Sequence, residues 1–113
     1  MKMVHAVIKP EKLEDVKRAL ESAGFVGITV YEVRGRGRQL GISWRVRGHE
    51  YRVDMLPKLK IELVVPDEEV DKAVKVIMES ARTGDIGDGK IFVHPIDQAI
   101  RIRTGESGVD AIK

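Results

Sequence analysis

The chain of 113 residues contains no cysteine, which excludes disulfide bonds and thiolate chemistry. It has no apolar run near the roughly 18 residues that a membrane span needs, and its amino terminus lacks the apolar stretch of a signal peptide. Aromatic side chains are scarce, with one Trp, two Tyr and two Phe. These absences predict a cytoplasmic protein with few side chains on which nucleic-acid bases stack.

Charge is balanced overall but unevenly distributed. Lys and Arg total 20 and Asp and Glu total 18, so the net charge is +2. Segment 34–52 holds six arginines and one acid, which gives it a charge of +5 and leaves −3 for the rest. This indicates a localised anionic partner rather than general coating of nucleic acid. Length and a hydrophobic fraction of 42% predict a single domain over 1–113.

Hydrophobic periodicity predicts alternating strands and helices. Strands are expected at 3–8, 28–33, 60–65, 91–93 and, where Ile and Arg alternate, 100–103. One helix follows Pro10 and ends at Gly24, and the other follows Pro66 with Asp67 as its N-cap. This order predicts an α+β, ferredoxin-like βαββαβ fold with a long loop between the second and third strands. Strands that are apolar on both faces favour a homo-oligomer.

Periodicity fails between Gly35 and about Asp54, in the segment that carries the basic cluster. A loop of roughly 20 residues is unusual inside a compact domain, and we interpret it as functional. Trp44 is expected there, either buried or exposed as a contact anchor. Tyr51 is expected to pack at the loop base or to be a modification site.

A second glycine-rich loop covers 83–90. Gly84-x-x-x-x-Gly89-Lys90 matches most of a P-loop pattern, but Ile91 replaces the hydroxyl residue and the segment runs from helix to strand, the reverse of the P-loop order. The loop can still hold phosphates through backbone N–H groups and the Lys90 ammonium. The alternative is simple loop flexibility.

Other cations have two interpretations each. Arg38 either forks onto phosphate or is solvated. Arg101 and Arg103, placed on one face of a terminal strand, either protect a sheet edge or bind phosphate, and Lys58 has the same ambiguity.

The remaining polar residues predict no catalytic centre. The three histidines, His5, His49 and His94, have no metal-ligand spacing, so we expect them to be structural or solvated. No Ser/His/Asp set or close carboxylate pair is present to suggest a hydrolase, and the protein is predicted not to be an enzyme.

Together these segments resemble the PII nitrogen-regulatory family from residue 1 to about 106. The most specific parts are 83–93, which reads TGDIGDGKIFV, and 102–106, which reads IRTGE. The resemblance implies a homotrimer with a T-loop at about 37–55, a B-loop at about 82–90 and a C-terminal segment at about 102–113. Departures from the family pattern concentrate near the T-loop tip, at Arg36, Leu40, Val46 and His49.

The resemblance also implies ligands, namely ATP or ADP in clefts between subunits, and 2-oxoglutarate beside Mg-ATP. Gln39 would be a ligand of Mg²⁺, and Lys58 and the backbone from Gly37 to Gly41 would surround the keto acid. The implied nucleotide residues are, for adenine, Val7, Thr29, Gly35, Glu62 and Val64, and, for the phosphates, Arg38, Gly87, Asp88, Gly89, Lys90, Arg101 and Arg103.

The implied partner is an ammonium transporter of the Amt class, which would bring this cytoplasmic protein to the membrane. The residue matching Arg47 enters the transporter pore in such relatives, and Trp44 and Arg45 would contact the same target. Glutamine-metabolism enzymes are the alternative partners. Tyr51 matches a tyrosine that is uridylylated in some bacterial members.

Two other functions share this topology. An RNA-binding module needs stacking aromatics on its central strands, and five aromatics in no ribonucleoprotein motif argue against it and against a nucleic-acid partner. A small acyl-phosphate hydrolase needs a catalytic Asn, and the chain has none.

Overall fold

The computed structural model describes residues 1–37 and 41–113. The strands are β1 (Lys2–Ile8), β2 (Thr29–Gly35), β3 (Ile42–Val46), β4 (His49–Val53), β5 (Leu56–Val65) and β6 (Lys90–Pro95). The helices are α1 (Leu13–Ser22) and α2 (Val70–Ala81), which follow the 3-10 turns Pro10–Lys12 and Asp67–Glu69; a further 3-10 turn covers Gly108–Ile112.

Four strands form one antiparallel sheet in the order β2-β5-β1-β6. The central pair, β1 and β5, joins two βαβ halves, so this order confirms the predicted α+β, ferredoxin-like fold. Four of the five predicted strands and both helices are present, although β5 begins four residues earlier than its apolar run indicates.

The two helices cover one face of this sheet, and the core lies between the helices and the sheet. Along β1 every second side chain is buried, as expected for a strand with one face against helices. The buried core residues are Val4, Ala6, Ile8, Val16, Leu20, Phe25, Ile61, Leu63, Val65, Ala73, Ile77 and Ala81. Among the residues described, no helix is long and apolar enough to cross a bilayer.

The long loop predicted at 35–54 contains two strands that the sequence analysis did not predict. Within it, β3 and β4 pair as an antiparallel hairpin separate from the main sheet. Arg47 and Gly48 form its two-residue turn with φ angles of 52° and 80°, the left-handed geometry that suits the twist of paired strands. The alternation of Ile42, Trp44 and Val46 with polar residues carried the strand signal, but the arginines at and around the turn obscured it.

The expected strand at 100–103 is also wrong. Ile100 makes one isolated bridge with Ser107, and the residues between them turn back on themselves. The Gly105 N–H donates to the Arg101 carbonyl at 2.8 Å, and Gly105 has a φ of 75° that lets the chain reverse. The alternation of Ile and Arg therefore does not create one cationic strand face.

The predicted N-cap at Asp67 is wrong as well. Pro66 occupies the N-cap position, and no side chain caps the turn. Asp67 instead accepts a hydrogen bond from the amino-terminal ammonium of Met1 at 2.8 Å. That hydrogen bond and the positive charge lower the pKa of the Asp67 carboxyl.

Candidate functional site

The face of the sheet that the helices leave open carries several of the residues predicted to bind adenine. Thr29 on β2 lies opposite Glu62 on β5, and Val7 on β1 lies opposite Lys90 on β6. Val7, Glu62 and Val64 alternate with buried core residues, so they occupy the face away from the helices. Residues distant in sequence are therefore neighbours on one surface.

A surface cavity of about 290 Å³ lies at one end of this face. Thr29, Glu62 and Val64 line it, together with Met3, Gly27, Ile28 and Leu63. Gly35 is not among its lining residues, because it lies at the other end of β2, about 20 Å along the strand from Thr29. Val7 lines a different cavity, so one chain does not gather the whole predicted adenine set.

Segment 82–90 joins α2 to β6, and the Asp88 carboxylate organises it. This carboxylate accepts hydrogen bonds from the N–H groups of Thr83 and Gly84, both at 2.9 Å, and from the Thr83 hydroxyl at 2.5 Å. The Lys9 ammonium lies 3.3 Å from the same group. The hydroxyl of Thr83 contributes most, and together these partners hold the pKa of Asp88 well below its ordinary value. The loop is therefore tied to an ionised side chain.

Gly89 holds the same loop against β1. A Cβ atom at this position would lie 1.7 Å from the carbonyl oxygen of Val7, and the φ of 101° is itself unfavourable for any other residue. Two residues earlier, the Gly87 carbonyl accepts a hydrogen bond from the Lys58 ammonium at 2.6 Å. The close approach and the positive φ together require glycine at position 89.

A cavity of about 410 Å³ opens where this loop meets α2 and β1. Its floor is apolar, formed by side chains such as Val74, Met78 and Ile91, and Arg82, Asp88 and Lys90 add charged groups. Lys90 is exposed and forms no salt bridge within the described part of the chain. A charged rim over an apolar floor suits a ligand with an apolar ring and an anionic group.

The two predicted strand arginines lie in the turn that follows β6. Arg101 donates to the Glu106 carboxylate at 3.1 Å and to the Lys113 carbonyl at 2.5 Å. Arg103 is exposed and has no ion-pair partner in ranges 1–37 and 41–113. Across those ranges no hydrogen bond or ion pair joins either arginine to segment 82–90. Arg103 is therefore the cation of this pair that is accessible to a ligand.

The β3–β4 hairpin presents the predicted partner-binding residues. Trp44 and Tyr51 are stacked with ring centroids 6.0 Å apart, and each is nearly half exposed. Arg45 lies on β3, and Arg47 occupies the turn. Tyr51 thus stacks on Trp44 in the hairpin. Gly37 precedes the hairpin, while the predictions for Arg38 and Gln39 lie outside the described residues.

The sequence did not reveal a polar network centred on Glu62. Its carboxylate lies 3.0 Å from the His5 imidazole and accepts a hydrogen bond from the Tyr31 hydroxyl at 2.5 Å. The Tyr31 hydrogen bond contributes most to lowering the pKa of Glu62, and the Lys60 charge and the His5 hydrogen bond act in the same direction. Only the strand register brings these residues together, since His5 and Glu62 are directly opposite on β1 and β5.

Comparison with known proteins identifies the class to which this fold and these loops belong. A sequence model of the family described as nitrogen regulatory protein P-II matches residues 1–106. The chain is 63% identical over 112 residues to nitrogen regulatory protein P-II 2 of Methanothermobacter thermautotrophicus, covering 99% of this chain and 97% of the relative. It is 61% identical over 112 residues to nitrogen regulatory protein P-II of Rhodobacter capsulatus, covering 99% and 100%. The chain therefore belongs to the PII nitrogen-regulatory family, whose members are signal-transduction regulators.

Proposed function

We propose that this protein is a non-enzymatic regulator that binds ATP or ADP and controls an ammonium transporter of the Amt class through the 37–55 segment. The observation that carries the nucleotide part is the packing of Gly89 against the Val7 carbonyl. This packing fixes a glycine-rich main chain next to an exposed lysine, Lys90, which is the arrangement that phosphate recognition needs.

The chemistry of segment 82–90 supports a phosphate ligand. The N–H groups of Gly87, Asp88 and Gly89 lie outside helices and strands, so the ladders of the sheet do not engage them. Lys90 adds a cation, and the cavity beside the loop supplies apolar surface. In this proposal the backbone and Lys90 hold the phosphates, and Thr29, Glu62 and Val64 line the adenine pocket.

The experiment that tests nucleotide binding is calorimetry with ATP and ADP on the full chain. Lys90→Ala removes a charge-assisted contact of about 1.5–3 kcal/mol, so affinity should fall roughly 10- to 100-fold. Lys75→Ala is the matched control, because Lys75 is an exposed lysine on α2 and is not among the residues that line the cavity. Equal affinity in all three proteins would contradict the assignment.

The two cavities make a complete nucleotide site only if a second chain brings its residues alongside, so we propose a homotrimer. Apolar side chains are exposed on and after the edge strand β6, including Phe92 at 55% and Ile102 at 100%. Such unpaired apolar surface is typical of an interface. In the trimer, Arg101 and Arg103 of one chain would reach the phosphates of the next.

Light scattering on the purified chain should give about three chain masses at micromolar concentration. Ile102→Asp places a charge at the fully exposed apolar position and should lower that mass, whereas Glu14→Asp on α1 should leave it unchanged. A stable monomer of the unsubstituted protein would contradict both the trimer and the shared site.

We further propose that 2-oxoglutarate binds beside Mg-ATP. A dicarboxylate needs a cation, and the Lys58 ammonium already lies next to segment 82–90, on the Gly87 carbonyl. Gln39 would be a ligand of Mg²⁺, and Arg38 would join the phosphates. Binding of the keto acid would require Lys58 to exchange its carbonyl partner for a carboxylate.

A further inference from the structure

Two histidines that are 89 positions apart in sequence meet on the open face of the sheet. The Nε2 atom of His5 on β1 lies 2.9 Å from the Nδ1 atom of His94 on β6. Their ring centroids are 4.5 Å apart, and the ring planes are inclined by 29°. Because His5 is opposite Phe92 in the strand register, the two rings are diagonal neighbours on one face.

The contact of His5 with Glu62, on the other side of the ring, determines which ring nitrogen carries the lone pair. The Nδ1 atom of His5 lies 3.0 Å from Oε1 of Glu62, and the Tyr31 hydroxyl donates to the same oxygen at 2.5 Å. An ionised Glu62 only accepts hydrogen bonds, so the neutral His5 ring donates from Nδ1. The Nε2 lone pair of His5 therefore points to His94.

We propose that His5 and His94 bind a divalent transition-metal ion, such as Zn²⁺, in place of the proton that their hydrogen bond shares. Zinc lies about 2.0–2.1 Å from imidazole nitrogens, and tetrahedral geometry then separates two such nitrogens by about 3.3 Å. The observed separation is 2.9 Å. To accommodate the ion, the two nitrogens separate by about 0.4 Å and both rings turn, so that their lone pairs point to the ion rather than to each other.

The surroundings of the pair match those of known histidine ligands. A carboxylate that accepts the distal N–H of a metal-bound histidine fixes its tautomer and raises its basicity, and Glu62 has that position relative to His5. Imidazole ligands select zinc, copper and nickel over magnesium. Within 1–37 and 41–113 no group of three His, Cys, Asp or Glu side chains could hold a metal ion, so the proposed site has two protein ligands and would take its other ligands from water.

The test is a calorimetric titration of the untagged full chain with Zn²⁺, in the absence of nucleotide. We expect one ion per chain, and an excess of Mg²⁺ should not compete. His94→Ala removes one of the two ligands and should weaken binding by more than the roughly tenfold that losing an outer-shell partner costs. His49→Ala, which removes the third histidine, on β4, is the matched control and should change affinity less than about twofold, because its ring is not part of the pair.

Two further measurements separate ligation from a structural role. His5→Gln keeps a polar side chain in the strand but removes the metal ligand, so circular dichroism should be unchanged while Zn²⁺ binding is lost. With Co²⁺ as the probe, visible ligand-field bands should appear in the unsubstituted protein and be absent in both pair variants. No heat with Zn²⁺, equal binding by the pair variants, or a loss confined to His49→Ala would each overturn the proposal.

Discussion

Substituting Gly89 with alanine should lower ATP affinity at least roughly 100-fold, which is the loss of two charge-assisted contacts of about 1.5 kcal/mol each. The physical reason is local. The new Cβ would lie 1.7 Å from the Val7 carbonyl oxygen, and neither backbone atom can yield without moving β1 or the loop. Displacing the loop moves its N–H groups and Lys90 away from the phosphates together.

Gly84→Ala is the matched control for this substitution. Gly84 lies in the same loop at a φ of 90°, but no atom lies within 4 Å of a Cβ built there. It therefore carries the left-handed strain of about 1–2 kcal/mol without the collision. Calorimetry with ATP should show a much larger affinity loss for Gly89→Ala, and urea unfolding should show a larger stability loss as well, because only that variant adds the collision to the strain. Equal affinity in the two variants would contradict the phosphate role of the loop.

The fold was largely predictable from the sequence because its core elements have clean periodicity. Val70, Ala73 and Ile77 recur at helical spacing in α2, and strand β1 alternates under the same core. The secondary-structure predictions failed at two turns. The Arg47–Gly48 turn is a hairpin turn without the usual Asn-Gly or Asp-Gly signal, and Gly105 reverses a segment whose alternation suggested a strand.

Only one part of the candidate site, the glycine-rich main chain with Lys90, could be predicted from the sequence. Glycines and Lys90 in the 82–90 loop indicated phosphate binding from spacing alone. The Asp88 carboxylate binds Thr83 and Gly84 within its own loop, whereas the contact of His5 with His94 depends on which strands are neighbours. Contacts between residues 89 positions apart have no local signature, so they required the sheet order β5-β1-β6.

The β3–β4 hairpin gives the proposed transporter contact a defined shape. Stacking of Trp44 on Tyr51 is worth about 0.5–1.5 kcal/mol and stiffens the hairpin behind its turn. The salt bridge between Arg36 and Asp54, at 3.2 Å, joins the segment before β3 to the residue after β4 at the base of the hairpin. A stiff, narrow hairpin with Arg47 in its turn can enter a vestibule at a small entropic cost. Three such hairpins on a trimer would meet a trimeric channel and add avidity.

Arg47→Ala should therefore reduce retention of the protein by its ammonium transporter at least roughly tenfold per hairpin, the loss of a charged contact of about 1.5–3 kcal/mol. The measurement is co-purification of the unsubstituted and variant proteins with the transporter from the same cell, with ADP and with Mg-ATP. ADP should favour retention, since Mg²⁺ held at Gln39 would draw the hairpin base inward.

The charge-matched control is Arg18→Ala, which removes an exposed arginine on α1 and should be retained normally. Equal retention of the Arg47 variant with no nucleotide effect would exclude the transporter mechanism, and capture by a glutamine-metabolism enzyme that depends on Arg47 would redirect the same hairpin to a soluble target.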